Sequence, residues 1–174
     1  MGQTKQTLDW QGRTLLEHAV ATLRDASVEA VFVVTQPGGP TVDDATQVVC
    51  EDWGRGMGAS VAAGLAAIDP TRPCVVHLCD LPLVDAAAIR SLTHAVNDGA
   101  AAAAAAFDET IGPPVAVAAS QFNQMRQATS DEGGAKRWLL SLGESLARFP
   151  VEAAAWDVDT PQALEAARRR AGDR

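Results

Sequence analysis

Asp80 stands at the end of the apolar run Cys74-Val75-Val76-His77-Leu78-Cys79 and is followed by Leu81-Pro82. Asp157 and Asp159 follow Ala-Ala-Trp156. Carboxylates that arrive from different strand ends can share a Mg²⁺ ion, which takes one or two carboxylates and completes its shell with water and phosphate oxygens. Both features also have a plain structural reading. Asp80 suits the start of a turn closed by Pro82, and Asp159 suits the cap of a final helix. Lys5 and Lys136 each lie beside loops rich in Gly and polar residues, so they are the cations placed to meet an anion. His18, His77 and His94 are scattered, and no Ser-His-Asp or Cys-His arrangement has support.

The segment Glu51-Asp52-Trp53-Gly54-Arg55-Gly56-Met57-Gly58-Ala59-Ser60 joins an expected strand to an expected helix. Glycines let backbone approach a ligand, and a helix N-terminus favours anions. Gly54-x-Gly56-x-x-Ala59 also matches a dinucleotide-binding pattern, with Asp80 about 20 residues further on. Against that reading, Glu51, Asp52 and Trp53 separate the first glycine from the strand, and two of them are acidic. A third reading is a connector whose glycines only permit close helix packing.

Parallel strands capped by loops would position these groups, because ligands gather outside the carboxyl ends of such strands. Thr14-Leu15-Leu16-Glu17 reads as a capping box opening a helix to about Asp25. Ala30–Thr35 reads as a buried strand ended by Gln36-Pro37-Gly38-Gly39-Pro40, and Thr46–Cys50 as a second strand. A helix of small residues over 59–68 and a third strand over 74–79 follow. Asp85 caps a helix to about Asn97. Ala100–Ala106 is ambiguous, since alanine favours helix, but its setting before Val115–Ala118 favours strand. Helices are expected over 121–127 and 135–142, with a loop over 129–134 between them. A last strand near Ala154–Asp157 leads to Thr160-Pro161, an N-cap with proline at the first helical position. This alternation specifies an α/β fold with a mainly parallel sheet, in one domain over residues 1–174.

A net charge of −8 disfavours general nucleic-acid binding, which rewards clustered Lys and Arg. Arg168-Arg169-Arg170 is the basic cluster, and a solvated helix end accounts for it. The three cysteines, an odd number without metal-type spacing, point to reduced thiols and a cytoplasmic location. No stretch approaches the roughly 20 apolar residues of a membrane span.

Seven segments recur in order in one family: Met1-Gly2-x-x-Lys5; Gly12 to His18; Gly56-Met57-Gly58-Ala59-Ser60 with the following helix to Leu65; Asp80-Leu81-Pro82; Gly112-x-Pro114-Val115; Asp131-Glu132-Gly133-Gly134-Ala135-Lys136; and Asp157-Val158-Asp159-Thr160-Pro161. The chain resembles the molybdopterin nucleotidyltransferases, most closely the molybdenum cofactor cytidylyltransferase branch. The resemblance implies a Rossmann-like three-layer domain with Mg²⁺ as cofactor, held by Asp80 with Asp159 as partner. It implies that Lys5 contacts the triphosphate and that Gly56, Gly58 and Ser60 lie near base and ribose. The implied reaction is attack of a molybdopterin phosphate on the α-phosphate of CTP, with release of pyrophosphate. GTP or another phosphorylated acceptor fits the same scaffold. A non-catalytic molybdopterin carrier that docks on a molybdoenzyme is the competing class.

By the same resemblance the chain lacks an opening strand and a Gly-rich loop ending in Arg-Met-Gly, with Met1 at that methionine. Either the start lies upstream, which is the preferred expectation, or the chain is a shortened copy. Without that strand, an unpaired interior edge would expose ladder groups, so the sheet would lose stability or pair elsewhere.

Overall fold

The computed structural model describes residues 4–129 and 133–172. Asp131 and Glu132 of the sixth recurring segment, and Met1 and Gly2 of the first, lie outside them.

A short hairpin, β1 (Asp9–Trp10) and β2 (Arg13–Thr14), leads into α1 (Leu15–Asp25). The capping box forms as expected: Glu17 N–H donates to Thr14 Oγ1 at 3.1 Å, and Thr14 N–H donates to the Glu17 carboxylate at 2.6 Å. The bond from Thr14 N–H, joined by one from the Thr14 hydroxyl at 2.9 Å, holds the Glu17 carboxyl below its ordinary range. Next come β3 (Phe32–Thr35), β4 (Thr46–Val49), α2 (Met57–Ala67), β5 (Cys74–Val76) and α3 (Ala86–Asn97). Asp85 caps α3 by accepting from Ala88 N–H at 2.9 Å. The chain ends with β6 (Ala102–Phe107), β7 (Thr110–Val117), α4 (Phe122–Ala128), α5 (Gly134–Ser141), β8 (Leu146–Pro150) and α6 (Pro161–Gly172).

The alanine run is a strand, and its period of two explains why alanine serves there. Ala102 and Ala104 pack with Phe122, Met125 and Trp138 of α4 and α5. Ala103 points the other way, against Leu92 and Val96 of α3. Methyl groups on both faces let helices close down on each side, giving the three layers of a Rossmann-like α/β fold.

The parallel pairing expected from crossovers holds for β3 with β4 and for β6 with β8. β7 is antiparallel to both of its neighbours, β5 and β6. The reason is local: only Asp108 and Glu109 separate β6 from β7, with φ of 43° and 59°. Positive φ at both central residues is a type I′ turn, and a two-residue connection can only join antiparallel strands.

Two other expectations need correction. β5 stops at Val76 rather than at Cys79. Its register with β7 pairs Val76 with Val115, so His77 faces Pro114, which has no N–H to donate. The strand expected near Ala154–Asp157 is a 3-10 turn over Glu152–Ala155. The strand beside β6 lies earlier, at Leu146–Pro150, a stretch whose Arg148 and Pro150 mask its pattern.

The sheet is in two parts. β5-β7-β6-β8 is one continuous ladder and β3-β4 another, and among the described residues no ladder joins β3 to β5. A cavity of about 890 Å³ lies between those two edges, lined by β3, the 74–80 segment, α1 and α2.

Candidate functional site

Asp80 leaves the sheet just beyond β5, and the turn behind it is anchored on three sides. Leu81, Leu83 and Val84 are buried in two apolar clusters. His18, on α1, donates from Nε2 to the Pro82 carbonyl at 2.9 Å. A carbonyl only accepts, so this bond fixes the proton on Nε2. Burial pushes the His18 pKa down, partly opposed by that same bond. Trp10 packs against the His18 ring, with centroids 6.0 Å apart.

Asp159 reaches the same place without a strand. Val158 is fully buried and donates its N–H to the Asp80 carbonyl oxygen at 2.9 Å. Thr160 then caps α6, accepting from Ala163 N–H at 3.1 Å. The segment is therefore held on both sides of Asp159, whose own side chain stays exposed. Asp157 is exposed too and has no described contact with Asp80.

Lys5 joins the two carboxylates. Its Nζ is 3.3 Å from Asp80 Oδ2 and also contacts Asp159 Oδ1. The second Asp80 oxygen, Oδ1, is buried and has no hydrogen-bond partner. An acceptor left so is costly in a finished fold, and points to a cation or donor that completes it. Among the described residues no group of three or more His, Cys, Asp or Glu could enclose a metal ion. An ion here would rest on Asp80 and Asp159, with other ligands from water or substrate, and that donor set suits Mg²⁺.

The glycine segment stands at the amino end of α2. Gly56 has φ +102° and open space where a Cβ would go. Gly58 is different: a Cβ there would lie 2.5 Å from the Thr129 carbonyl oxygen. Its absent side chain thus serves close packing, the structural reading of this segment. Ser60 lines the large cavity together with Lys5 and Asp80. A 3-10 turn over Trp53–Arg55 intervenes between β4 and α2, so no glycine follows the strand directly. The dinucleotide pattern does not have its strand-to-glycine geometry.

Lys136 lies elsewhere, donating to Thr110 Oγ1 at 2.5 Å at the start of β7. Arg168 is taken up by Glu165 and the Asp9 carbonyl, and Arg170 lies over the Trp156 ring at 4.9 Å. The basic cluster is a helix end, as expected. Cys50, Cys74 and Cys79 are free thiols, and burial pushes Cys74 and Cys79 up to about 11.

Sequence reasoning passed over one part of the site. A cavity of about 280 Å³ at the carboxyl end of β3 is lined by Thr4, Gln6 and Thr7 on one side and by Thr35, Gln36 and Gly38 to Pro40 on the other. Gly39 is needed there, since a Cβ would lie 2.7 Å from that of Thr35. The signal was available: a Gln-Pro-Gly-Gly-Pro loop directly after a buried strand.

A model of the MobA-like NTP transferase domain matches residues 1–146. The chain belongs to that family. Among curated relatives it is similar to the bifunctional protein GlmU of Burkholderia ambifaria, 33% identical over 93 residues. That stretch is 51% of this chain and 20% of the relative, so the match spans about a fifth of its length. Three solved structures share the fold. Rv0371C of Mycobacterium tuberculosis in complex with manganese has TM-score 0.75 and 22% identity, over 95% of this chain and 91% of that one. The 2-C-methyl-D-erythritol 4-phosphate cytidylyltransferase of Thermus thermophilus has TM-score 0.70 and 24% identity, over 97% and 94%. The molybdopterin-guanine dinucleotide biosynthesis protein A of Archaeoglobus fulgidus has TM-score 0.68 and 20% identity, over 99% and 93%. Neighbours in fold thus include proteins whose names cite cytidylyl transfer and guanine dinucleotides. No described helix is long and apolar enough to cross a membrane.

Proposed function

We propose that this chain transfers CMP from CTP to a molybdopterin phosphate, with release of pyrophosphate and with Mg²⁺ as cofactor. The observation that carries this reading is the convergence of Asp80 and Asp159 on one cation, the Lys5 ammonium, beside a buried and unpartnered Asp80 oxygen. Two carboxylates and a lysine gathered just beyond the carboxyl end of β5 suit a phosphate-rich substrate better than any other class of ligand.

In the transfer, an oxygen of the acceptor phosphate forms a bond to the α-phosphorus of CTP. The bond from that phosphorus to the bridging oxygen breaks, and pyrophosphate leaves with the electron pair. Little covalent chemistry is asked of the protein, so positioning and charge neutralisation carry the rate. When bound, Mg²⁺ would withdraw charge from phosphate oxygens. Asp80 and Asp159 would hold the ion, with Asp80 fixed by the Pro82–His18 bond and Asp159 by the Val158–Asp80 bond. Lys5 would exchange its carboxylate partners for the triphosphate. Gly56, Gly58 and Ser60 would form the wall toward base and ribose, and the cavity at Thr35–Pro40 the opposite wall.

GTP in place of CTP is the second reading, favoured by the likeness to the molybdopterin-guanine dinucleotide protein. Pyrophosphate release with molybdopterin and Mg²⁺, measured with CTP and with GTP, separates the two. Release from CTP at ten times the GTP rate or more supports the first. Molybdopterin binding without release from either nucleotide would instead make the protein a carrier.

A further inference from the structure

The sequence has two lysines among its 14 basic residues, Lys5 and Lys136, and both stand beyond the same end of the sheet. β5 runs antiparallel to β7 with Val76 opposite Val115, so the carboxyl end of β5 points the way the amino end of β7 does. Asp80 lies four residues past that pair, and Thr110 five residues past it on the neighbouring strand. Phe107 packs against the apolar cluster that holds Leu81, which ties the Asp80 turn to the β6–β7 hairpin. Lys136, in the first turn of α5, donates to the Thr110 hydroxyl and is thereby held on that hairpin.

α5 shares its face of the sheet with α2, since Trp138 and Leu139 pack in one cluster with Leu65. The two helices sit on opposite sides of Asp80. α2 packs on β3, where a Cβ on Gly64 would lie 2.9 Å from Val34, while α5 packs on Ala102 and Ala104 of β6. The charges differ as well. Lys5 is paired with both Asp80 and Asp159, whereas Lys136 is exposed and has no ion pair among the described residues, Asp108 and Glu109 of the adjoining turn included. Its described partner is an uncharged hydroxyl. With that bond made, an ammonium keeps two further N–H donors and the hydroxyl keeps its own proton to donate.

Nucleotidyl transfer brings two phosphate groups together, with the attacking and leaving oxygens roughly in line. The acceptor phosphate therefore approaches from the side away from the departing pyrophosphate and needs a cation of its own. Resting on the transfer reading, in which Lys5 and the glycine segment serve the nucleotide, we propose that Lys136 and the Thr110 hydroxyl bind the phosphate of a phosphomonoester acceptor. The acceptor then enters on the β7 side of Asp80, across from the glycine segment. Charge-assisted bonds from Lys136 and a neutral one from Thr110 hold its phosphate while the ion on Asp80 and Asp159 faces the nucleotide.

The test measures dissociation constants for CTP with Mg²⁺, for molybdopterin and for glycerol 3-phosphate, each by itself, on the parent chain and on Lys136→Met, Lys136→Arg and Thr110→Val. Thermal midpoints are taken on the same preparations. Lys136→Met should weaken both phosphomonoesters at least tenfold, the scale of one charge-assisted hydrogen bond, and leave CTP affinity and the midpoint unchanged. Thr110→Val should weaken them less, and Lys136→Arg should recover most of the loss. Failure of molybdopterin alone to bind the parent, with Lys136-dependent binding of glycerol 3-phosphate, would contradict molybdopterin as the acceptor and support the Lys136 subsite. Equal phosphomonoester binding by Lys136→Met and the parent overturns the proposal, whatever the midpoint does. An equal loss of CTP affinity does so too, by placing Lys136 on the nucleotide, as does a parent chain that binds neither phosphomonoester.

Discussion

Val158 N–H donates to the main-chain carbonyl of Asp80 at 2.9 Å, across 78 residues of chain. The bond is backbone to backbone, so it fixes where Asp159 arrives whatever side chain stands at 158. It converts two carboxylates distant in sequence into one site. Burial of Val158 shields the bond from water, which makes it a durable link between the end of β5 and the start of α6.

The first prediction concerns Lys5. Its ion pairs are half exposed, with side-chain exposures of 37% for Lys5 and 58% for Asp159, so screening leaves them little weight in stability. Lys5→Met is expected to shift folding stability by no more than about 1 kcal/mol. Pyrophosphate release should nonetheless fall by about 10²-fold, the usual cost of removing one charge-stabilising donor. Thermal unfolding and turnover measured on one preparation check this. A large loss of stability with normal turnover would make Lys5 structural.

Gly58 and Gly56 should separate. Gly58→Ala forces a methyl group against the Thr129 carbonyl oxygen, a rigid backbone atom, and is expected to cost about 1–3 kcal/mol. Gly56→Ala meets no atom but strains a positive φ, for a cost of about 1 kcal/mol. Denaturant midpoints give the order. If Gly56 belongs to the nucleotide wall, its variant also raises KM for CTP.

Acid should weaken the fold through its histidines. Burial lowers the His77 pKa to about 4, and burial also lowers that of His18. In the unfolded chain both titrate near 6.5. Below that pH the unfolded state binds protons that the folded state refuses, so stability is full above about 6.5 and falls toward pH 4. His77 alone accounts for up to about 3 kcal/mol of that loss. Urea unfolding at pH 7 and pH 4.5 should show it, with a smaller difference in His77→Leu.

Local signals carried most of the fold. Thr14 with Glu17, Asp85, and Thr160 with Pro161 marked three helix starts because each cap is closed within four residues. The alanine run needed its neighbours to be read as strand, and the structure shows why: its partners are α3 on one face and α4 with α5 on the other. β8 was not legible, because its pairing to β6 comes from 44 residues away, Ala102 opposite Leu146. The truncated β5 depends on proline in a strand distant in sequence. In the site, Asp80, Asp159 and Lys5 were named from sequence and are brought together. Their joining bond through Val158 was not visible there, since main-chain hydrogen bonds leave no mark on residue type. The Thr35–Pro40 cavity was passed over because its loop was read only as a strand terminator.

Manganese binding in the presence of CTP tests the shared carboxylate site most directly. Titrations of the chain, of Asp80→Asn and of Asp159→Asn should show one ion bound per chain, weakened at least tenfold in each variant while folding is preserved. Binding to both variants with the affinity of the parent chain would contradict the account.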